Sequence, residues 1–238
     1  MHINPDDLDA KSNYKMLIGS IIPRPIAWVS TISTKGVRNL APVSFFTCVG
    51  RKPPRVSLSI QAGADGNLKD TFVNIQDTGQ FVTNMATFPD ALSVHRSAIE
   101  FEPDEDEFTL LDVDSAPSQV VRPPRVKSAP IALECEVFKI FEDPKKMGAI
   151  VWGTVVNYYV RDDIYLPETG RLDITALAPI GRLAGEYSLT ETVFVPPVNE
   201  NLIQSREGKR MLRLDGRRDD YSPIETDTWT PAGSVLEP

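Results

Sequence analysis

Cysteine and histidine are scarce in this chain, with two of each among 238 residues. Cys48 and Cys135 have neither metal-site nor C-x-x-C spacing. Both lie in apolar, strand-like runs, so buried reduced thiols are expected. His2 falls in a polar arm and His95 on a short predicted helix, where surface or packing roles suffice. No Ser/His/Asp set is recognisable, so no catalytic residue is assigned. No G-x-G-x-x-G occurs, which excludes a Rossmann-type dinucleotide fingerprint. No long uncharged apolar run is present, so no membrane-spanning helix is expected. The opening MHINPDDLDAKSNYK is polar and acidic, unlike a secretory signal, and a cytoplasmic location follows as the expectation. Positive charge is in deficit: 25 Lys and Arg stand against 33 Asp and Glu, a formal net charge of −8. That balance argues against nucleic acid or a membrane surface as partner, while leaving room for a local basic pocket.

The rest of the composition is that of a globular protein, 41% hydrophobic and 24% charged. At this length roughly 70–75% of the unfolded chain's surface can be buried, enough for a full core. The stretch that organises the chain is PRPIAWVSTISTKGVRNLAPVSFF, Pro23 to Phe46. Ile26 to Ser33 is rich in β-branched and aromatic residues, Thr34-Lys35-Gly36 breaks it, and Val37 to Cys48 resumes it, which predicts a β-hairpin. Pro42 cannot donate to a sheet ladder and marks an edge or a bulge. A strand follows at Arg55 to Gln61, a helix at Leu68 to Thr78 stopped by Gly79, and a strand at Phe81 to Thr87. Pro89 to Ile99 reads as a short helix, and Glu100 to Glu107 as a solvated acidic loop. Arg122 to Pro130 is a stiff connection. Ile131 to Phe141 and Ala149 to Val160 form a second hairpin around Asp143 to Lys146. Residues 1 to 13 read as a loose arm and Tyr14 to Ile21 as a helical turn. Many strands with few short helices predict a mainly β, antiparallel, closed or half-closed barrel over residues 1–192. Residues 193–238 carry no second core; they read as an extended tail packing on its own or a partner subunit.

Two places could carry chemistry. The junction GADGNLKDT sets glycines, Lys69 and Thr71 around a helix start, where unpaired N–H groups and the helix dipole favour an anion. An ordinary helix start with Asp70 on its dipole accounts for the same residues. The strand NLAPVSFF offers a flat apolar surface edged with hydrogen-bonding groups, and a plain bulged edge strand accounts for that equally. Together the two suit a phosphorylated aromatic cofactor.

The phrases N-L-A-P-x-S-F-F and K-D-T-x-x-N-I, with PPRVSL between them and GRLAGEYS at Gly181 to Ser188, resemble the flavin reductase-like family with its FMN-binding split barrel. The resemblance spans about residues 14 to 190. It implies FMN as cofactor and NADH or NADPH as a transient electron donor, with hydride passing to flavin. It places Ala41, Pro42, Val43 and Ser44 beside the isoalloxazine and ribityl chain, with Ser59, Ile60 and Gln61 approaching from the next strand. Lys69, Asp70 and Thr71 would surround the 5′-phosphate, Arg24 and Asn39 would be further contacts, and Arg182 and Tyr187 would stand near the open ring face. The resemblance also implies a homodimer and an oxygenase or redox-protein partner. The alternatives are a flavin-bound electron carrier and a non-catalytic flavin-binding barrel.

Overall fold

A computed structural model describes residues 1–63, 66–145, 147–173 and 176–190. Its strands are β1 (Arg24–Pro25), β2 (Ala27–Ile32), β3 (Arg38–Val43), β4 (Phe46–Arg51), β5 (Pro54–Gln61), β6 (Gln80–Met85), β7 (Ser115–Ala116), β8 (Arg125–Val126), β9 (Ile131–Glu142), β10 (Gly148–Val160), β11 (Tyr165–Leu166), β12 (Arg171–Leu172), β13 (Ile180–Arg182) and β14 (Tyr187–Leu189). The α-helices are α1 (Ala10–Ser20), α2 (Asp70–Thr78), α3 (Ala91–Arg96) and α4 (Glu107–Leu110).

Seven strands form one antiparallel sheet in the order β3-β2-β6-β9-β10-β5-β4. The two edges, β3 and β4, are consecutive in the chain and joined only by Ser44 and Phe45. So short a link forces the edges together, curling the sheet into a barrel that is split along that line. One backbone hydrogen bond, from Ser59 N–H to Phe45 C=O at 2.8 Å, ties the link to β5. The predicted second strand of the first hairpin is therefore two strands, β3 and β4, which part at Ser44. Pro42 lies on an edge strand, where its missing donor removes nothing from the sheet.

Alternation along β2 serves two cores. Ala27 and Val29 face a cluster with Val56, Leu58, Ile60, Phe72, Ile75, Phe81, Cys135 and Val151. Trp28 faces a second cluster with Leu40, Val94, Phe108, Val126 and Ile180. Helix α2 plugs the first through Phe72 and Ile75 and ends at Gly79, whose φ of 70° is the left-handed cap that glycine adopts without strain. At Gly153 an added Cβ would lie 2.3 Å from the Phe81 ring, so the packing of Phe81 requires a residue without a side chain there.

Several expectations need correction. Helix α1 begins inside the predicted arm because the Asp9 carboxylate accepts the Ser12 N–H at 2.7 Å and caps it. Cys48 is exposed rather than buried, since it sits on the edge strand β4; Cys135 is buried, and both thiols are free. The acidic segment ends in helix α4, whose Glu107 is 5% exposed, so it is not wholly a solvated loop. Residues Met1–Tyr165 and Leu172–Thr190 gather into one compact unit, and the Leu166–Arg171 turn is closed by a 2.9 Å bond from Gly170 N–H to Leu166 C=O. The predicted tail, 193–238, lies outside the described residues. Among the described residues no helix is long and apolar enough to cross a membrane.

Candidate functional site

Helix α2 starts beside edge strand β3, and the two enclose a cavity of about 390 Å³. One wall is the edge strand, with Asn39, Ala41, Pro42 and Val43, joined by Ile60 of β5. Its floor is the approach to α2: Asn67, Leu68, Lys69, Asp70 and Thr71. The far side is Ser97 to Pro103 together with Glu107. Ser97 is fixed by Trp28, whose indole N–H donates to its hydroxyl at 2.8 Å. The acidic side is fixed by Arg38 of β3, which donates to Asp106 at 2.7 Å, to Ser115 at 3.0 Å and to Thr109 at 3.1 Å.

The α2 start opens onto this cavity. Lys69 at the N-cap has extended backbone and makes no side-chain cap, so no cap side chain covers the first-turn N–H groups. The Lys69 ammonium stands 3.9 Å from Glu100, with both side chains substantially exposed, a pairing of little energetic weight. Burial, with Glu102 adding to it, raises the Asp70 carboxyl above the ordinary carboxylate range.

Behind this start runs a buried polar chain. Glu107 accepts from the Leu40 backbone N–H and, at 2.7 Å, from the Asn39 amide. The Asn39 oxygen accepts from the Thr31 hydroxyl at 3.0 Å and the Thr71 hydroxyl at 2.9 Å, and Asn74 donates to Thr31 at 3.1 Å. Burial lifts Glu107 to about 7, against the lowering pull of its Leu40 and Asn39 bonds. Glu107 is the residue that reasoning from sequence missed: it stands last in an acidic run whose other members look alike, and its partners lie far away along the chain.

Of the residues singled out by resemblance, Asn39, Ala41, Pro42, Val43, Ile60, Lys69, Asp70 and Thr71 share this cavity. Ser59 and Gln61 do not line it. Strand alternation turns them away from Ile60, and the Gln61 amide donates to the Ser59 hydroxyl at 3.0 Å. Ser44 lies one residue past the wall and accepts from Arg24 Nε at 3.4 Å. Arg24 is buried and its guanidinium donates to the carbonyls of Ile18, Ile21 and Leu183, which marks it as a structural tie between α1 and the small sheet β1-β13-β14. It lines a separate cavity of about 310 Å³ with Pro23, Ile26, Phe46, Thr83 and Ile131. Arg182 and Tyr187 also belong to the small sheet. The guanidinium of Arg182 stacks 4.5 Å from the Tyr187 ring, its Nη1 is buried without a partner, and the Tyr187 hydroxyl meets His95 Nδ1 at 3.1 Å.

An edge strand that presents Ala41, Pro42 and Val43 to a helix start without a side-chain cap and with an adjacent lysine fits a phosphorylated aromatic group. Comparison with known proteins gives the class. The flavin reductase like domain model matches residues 18–172. Nitrilotriacetate monooxygenase component B from Bacillus cereus superposes with a TM-score of 0.77 at 34% identity, covering 82% of this chain and 98% of that one. 2-Nitrobenzoate 2-nitroreductase NbaA of Pseudomonas fluorescens superposes at 0.76 and 32% identity, covering 83% and 96%. A split barrel domain protein from Shewanella frigidimarina superposes at 0.72 over 83% and 99% of the two chains; at 19% identity it bears on the fold alone. The chain belongs to the flavin reductase-like domain family, a family of split-barrel flavoproteins.

Proposed function

We propose that the protein binds FMN in the cavity between β3 and α2 and acts as an NAD(P)H-dependent flavin reductase. The observation that carries this reading is the meeting, in one cavity, of the Asn39–Val43 strand with Lys69 and the first turn of α2. Ala41, Pro42, Val43 and Ile60 would receive the ring, and Lys69 with the Asp70 and Thr71 backbone N–H groups would hold the phosphate. The Thr71 hydroxyl is already engaged on Asn39, so its backbone rather than its side chain is the donor at hand. When bound, the flavin supplies the hydride-accepting chemistry, and the chain supplies binding, orientation and an open face. Because Glu100, Glu102 and Asp70 border the same cavity as Lys69, phosphate recognition depends on directed N–H groups more than on net charge.

Nitrilotriacetate monooxygenase component B, by its name part of an oxygenase system, supports a role in handing reduced flavin to an oxygenase or another redox partner. NbaA, a 2-nitrobenzoate 2-nitroreductase by name, supports testing a nitroarene as acceptor. A homodimer completes the reading. Helix α1 buries none of its residues, and Tyr14, Leu17 and Ile21, at i, i+3 and i+7, leave an apolar stripe more than half exposed that a second copy would cover. The deciding experiment is anaerobic addition of NADH or NADPH to the FMN-loaded protein. Rapid bleaching of the flavin absorption is expected. No bleaching, with reduction by a redox protein instead, would make it an electron carrier; failure to bind FMN at all would make it a non-catalytic barrel.

A further inference from the structure

The buried chain Glu107–Asn39–Thr71 has the form of a reversible relay. We propose that Glu107 is the positioning residue of the phosphate cradle: acting through Asn39 and Thr71, its charge state sets the cavity's preference for phosphorylated over unphosphorylated flavin. The inference rests on the FMN reading above and names a control on the same site.

The geometry is specific. With Glu107 ionised, its two oxygens accept from Leu40 N–H and the Asn39 amide, which leaves the Asn39 oxygen to accept both threonine hydroxyls. The Thr71 hydrogen then points away from the cavity that Thr71 lines. A proton from solvent added to Glu107 Oε1 makes it a donor, and the Asn39 amide satisfies it by turning over. Its two N–H bonds then reach the same Thr31 and Thr71 oxygens, whose separations from Asn39 are 3.0 and 2.9 Å. Thr31, already an acceptor for Asn74, gives up its own bond to Asn39 and accepts from it instead, and Thr71 does the same, so that the Thr71 hydrogen is released to donate to a phosphate oxygen. Leu40 N–H keeps its acceptor throughout. The same proton removes a negative charge beside the phosphate.

All three side chains are at most 7% exposed, so water cannot readily substitute for any of these bonds. The charged groups facing Glu107 are Asp70 of α2 and Asp106 beside it, both of which oppose its ionisation, and Asp106 is itself paired with Arg38. Lys69 is the cation of the same cavity and stands beside Glu100. With Glu107 at about 7, the switch works near neutrality.

The sign follows. A bound phosphate dianion raises the Glu107 pKa further, so FMN binding takes up a proton and weakens as pH rises above 7. Wild type and Glu107→Gln are titrated with FMN and with riboflavin from about pH 7 to about pH 8.5, where the phosphate, with its second pKa near 6, is already a dianion. In wild type the FMN dissociation constant should rise about fourfold across that range, part of the tenfold that a one-unit pKa shift gives over all pH, while that of riboflavin stays level. Glutamine supplies an acceptor for Leu40 and a permanent donor to Asn39. Glu107→Gln should therefore bind FMN at least as tightly as wild type at the lower pH and show no slope. Thr71→Val should bind FMN weakly at every pH and leave riboflavin unchanged. An equal slope in wild type and Glu107→Gln would overturn the relay, as would weaker FMN binding by a Glu107→Gln protein of unchanged melting temperature. Should that variant not fold, calorimetry of wild type in two buffers of different ionisation enthalpy decides: proton uptake with FMN and none with riboflavin is expected, and no uptake with FMN refutes the relay. If wild type binds neither flavin, the FMN reading falls together with this inference; if it binds both without pH dependence, the inference alone falls.

Discussion

At the scale of single residues, the helix start that lines the cavity was readable because it is local. Lys69, Asp70 and Thr71 are adjacent, and a glycine-containing loop before a helix announces its N-terminus without any knowledge of the fold. Lys69→Ala should weaken FMN binding by about 1.5 kcal/mol, the lower end for a hydrogen bond to a charged group because the side chain is partly exposed and shares its charge with Glu100. Riboflavin should be indifferent, and paired fluorescence titrations check both statements; equal losses would remove Lys69 from the phosphate site. Glu107 was not readable, because what distinguishes it from Glu100, Glu102 or Glu105 is contact with Asn39 and Leu40 across the fold. Its folded pKa of about 7 exceeds the ordinary 4.5, so the native state holds more protons than the unfolded chain between those values. Stability should accordingly decrease as pH rises from about 4.5 to about 7 and then level off, by an amount on the order of 3 kcal/mol. Denaturant melts of wild type and Glu107→Gln over that window measure it: the decline should be absent in the variant.

At the scale of elements, hydrophobic periodicity gave the long strands β9 and β10 and the helix α2 to within a few residues, since each carries its pattern over many positions. It joined β3 to β4 because the residues on either side of Ser44 are equally strand-like, and only the closing of the sheet decides that the chain changes edges there. The family resemblance grouped Ser59, Ile60 and Gln61 as one contact, although period-two alternation in a strand sends the serine and glutamine to the face opposite the isoleucine. Glu134 of β9 shows another kind of silence in the sequence. Buried at 1% exposure, it accepts from the backbone N–H groups of Gln119, Val120 and Val121 and from the Asn157 amide. Burial pushes its carboxyl up, and these four bonds together outweigh that and hold it low. Glu134→Ala would strand three backbone donors and should cost about 3 kcal/mol or more, read as a lowered denaturation midpoint. Gly153→Ala should destabilise by about 1–3 kcal/mol through overpacking against Phe81, and Phe81→Leu in the same chain should restore part of the loss.

At the scale of the whole molecule, the barrel was legible from the number of strand-like runs and the shortage of helices, and the family from two motifs close in sequence. The exposed apolar stripe of α1 was not, because Tyr14 to Ile21 read only as a helical turn, and what its side chains leave in solvent depends on packing across the fold. Leu17→Glu on that stripe should convert the proposed homodimer to monomers in analytical ultracentrifugation, and an unchanged sedimentation coefficient would contradict that interface. The claim beneath all of this is that the cavity between β3 and α2 receives FMN. Titrating FMN into wild type and into Ala41→Trp, whose indole would fill that cavity from the edge strand, tests it most directly by the change in flavin absorption and fluorescence. Saturable binding to wild type, lost in an Ala41→Trp protein of unchanged melting temperature, is the predicted result; equal binding by both proteins, or by neither, would contradict it.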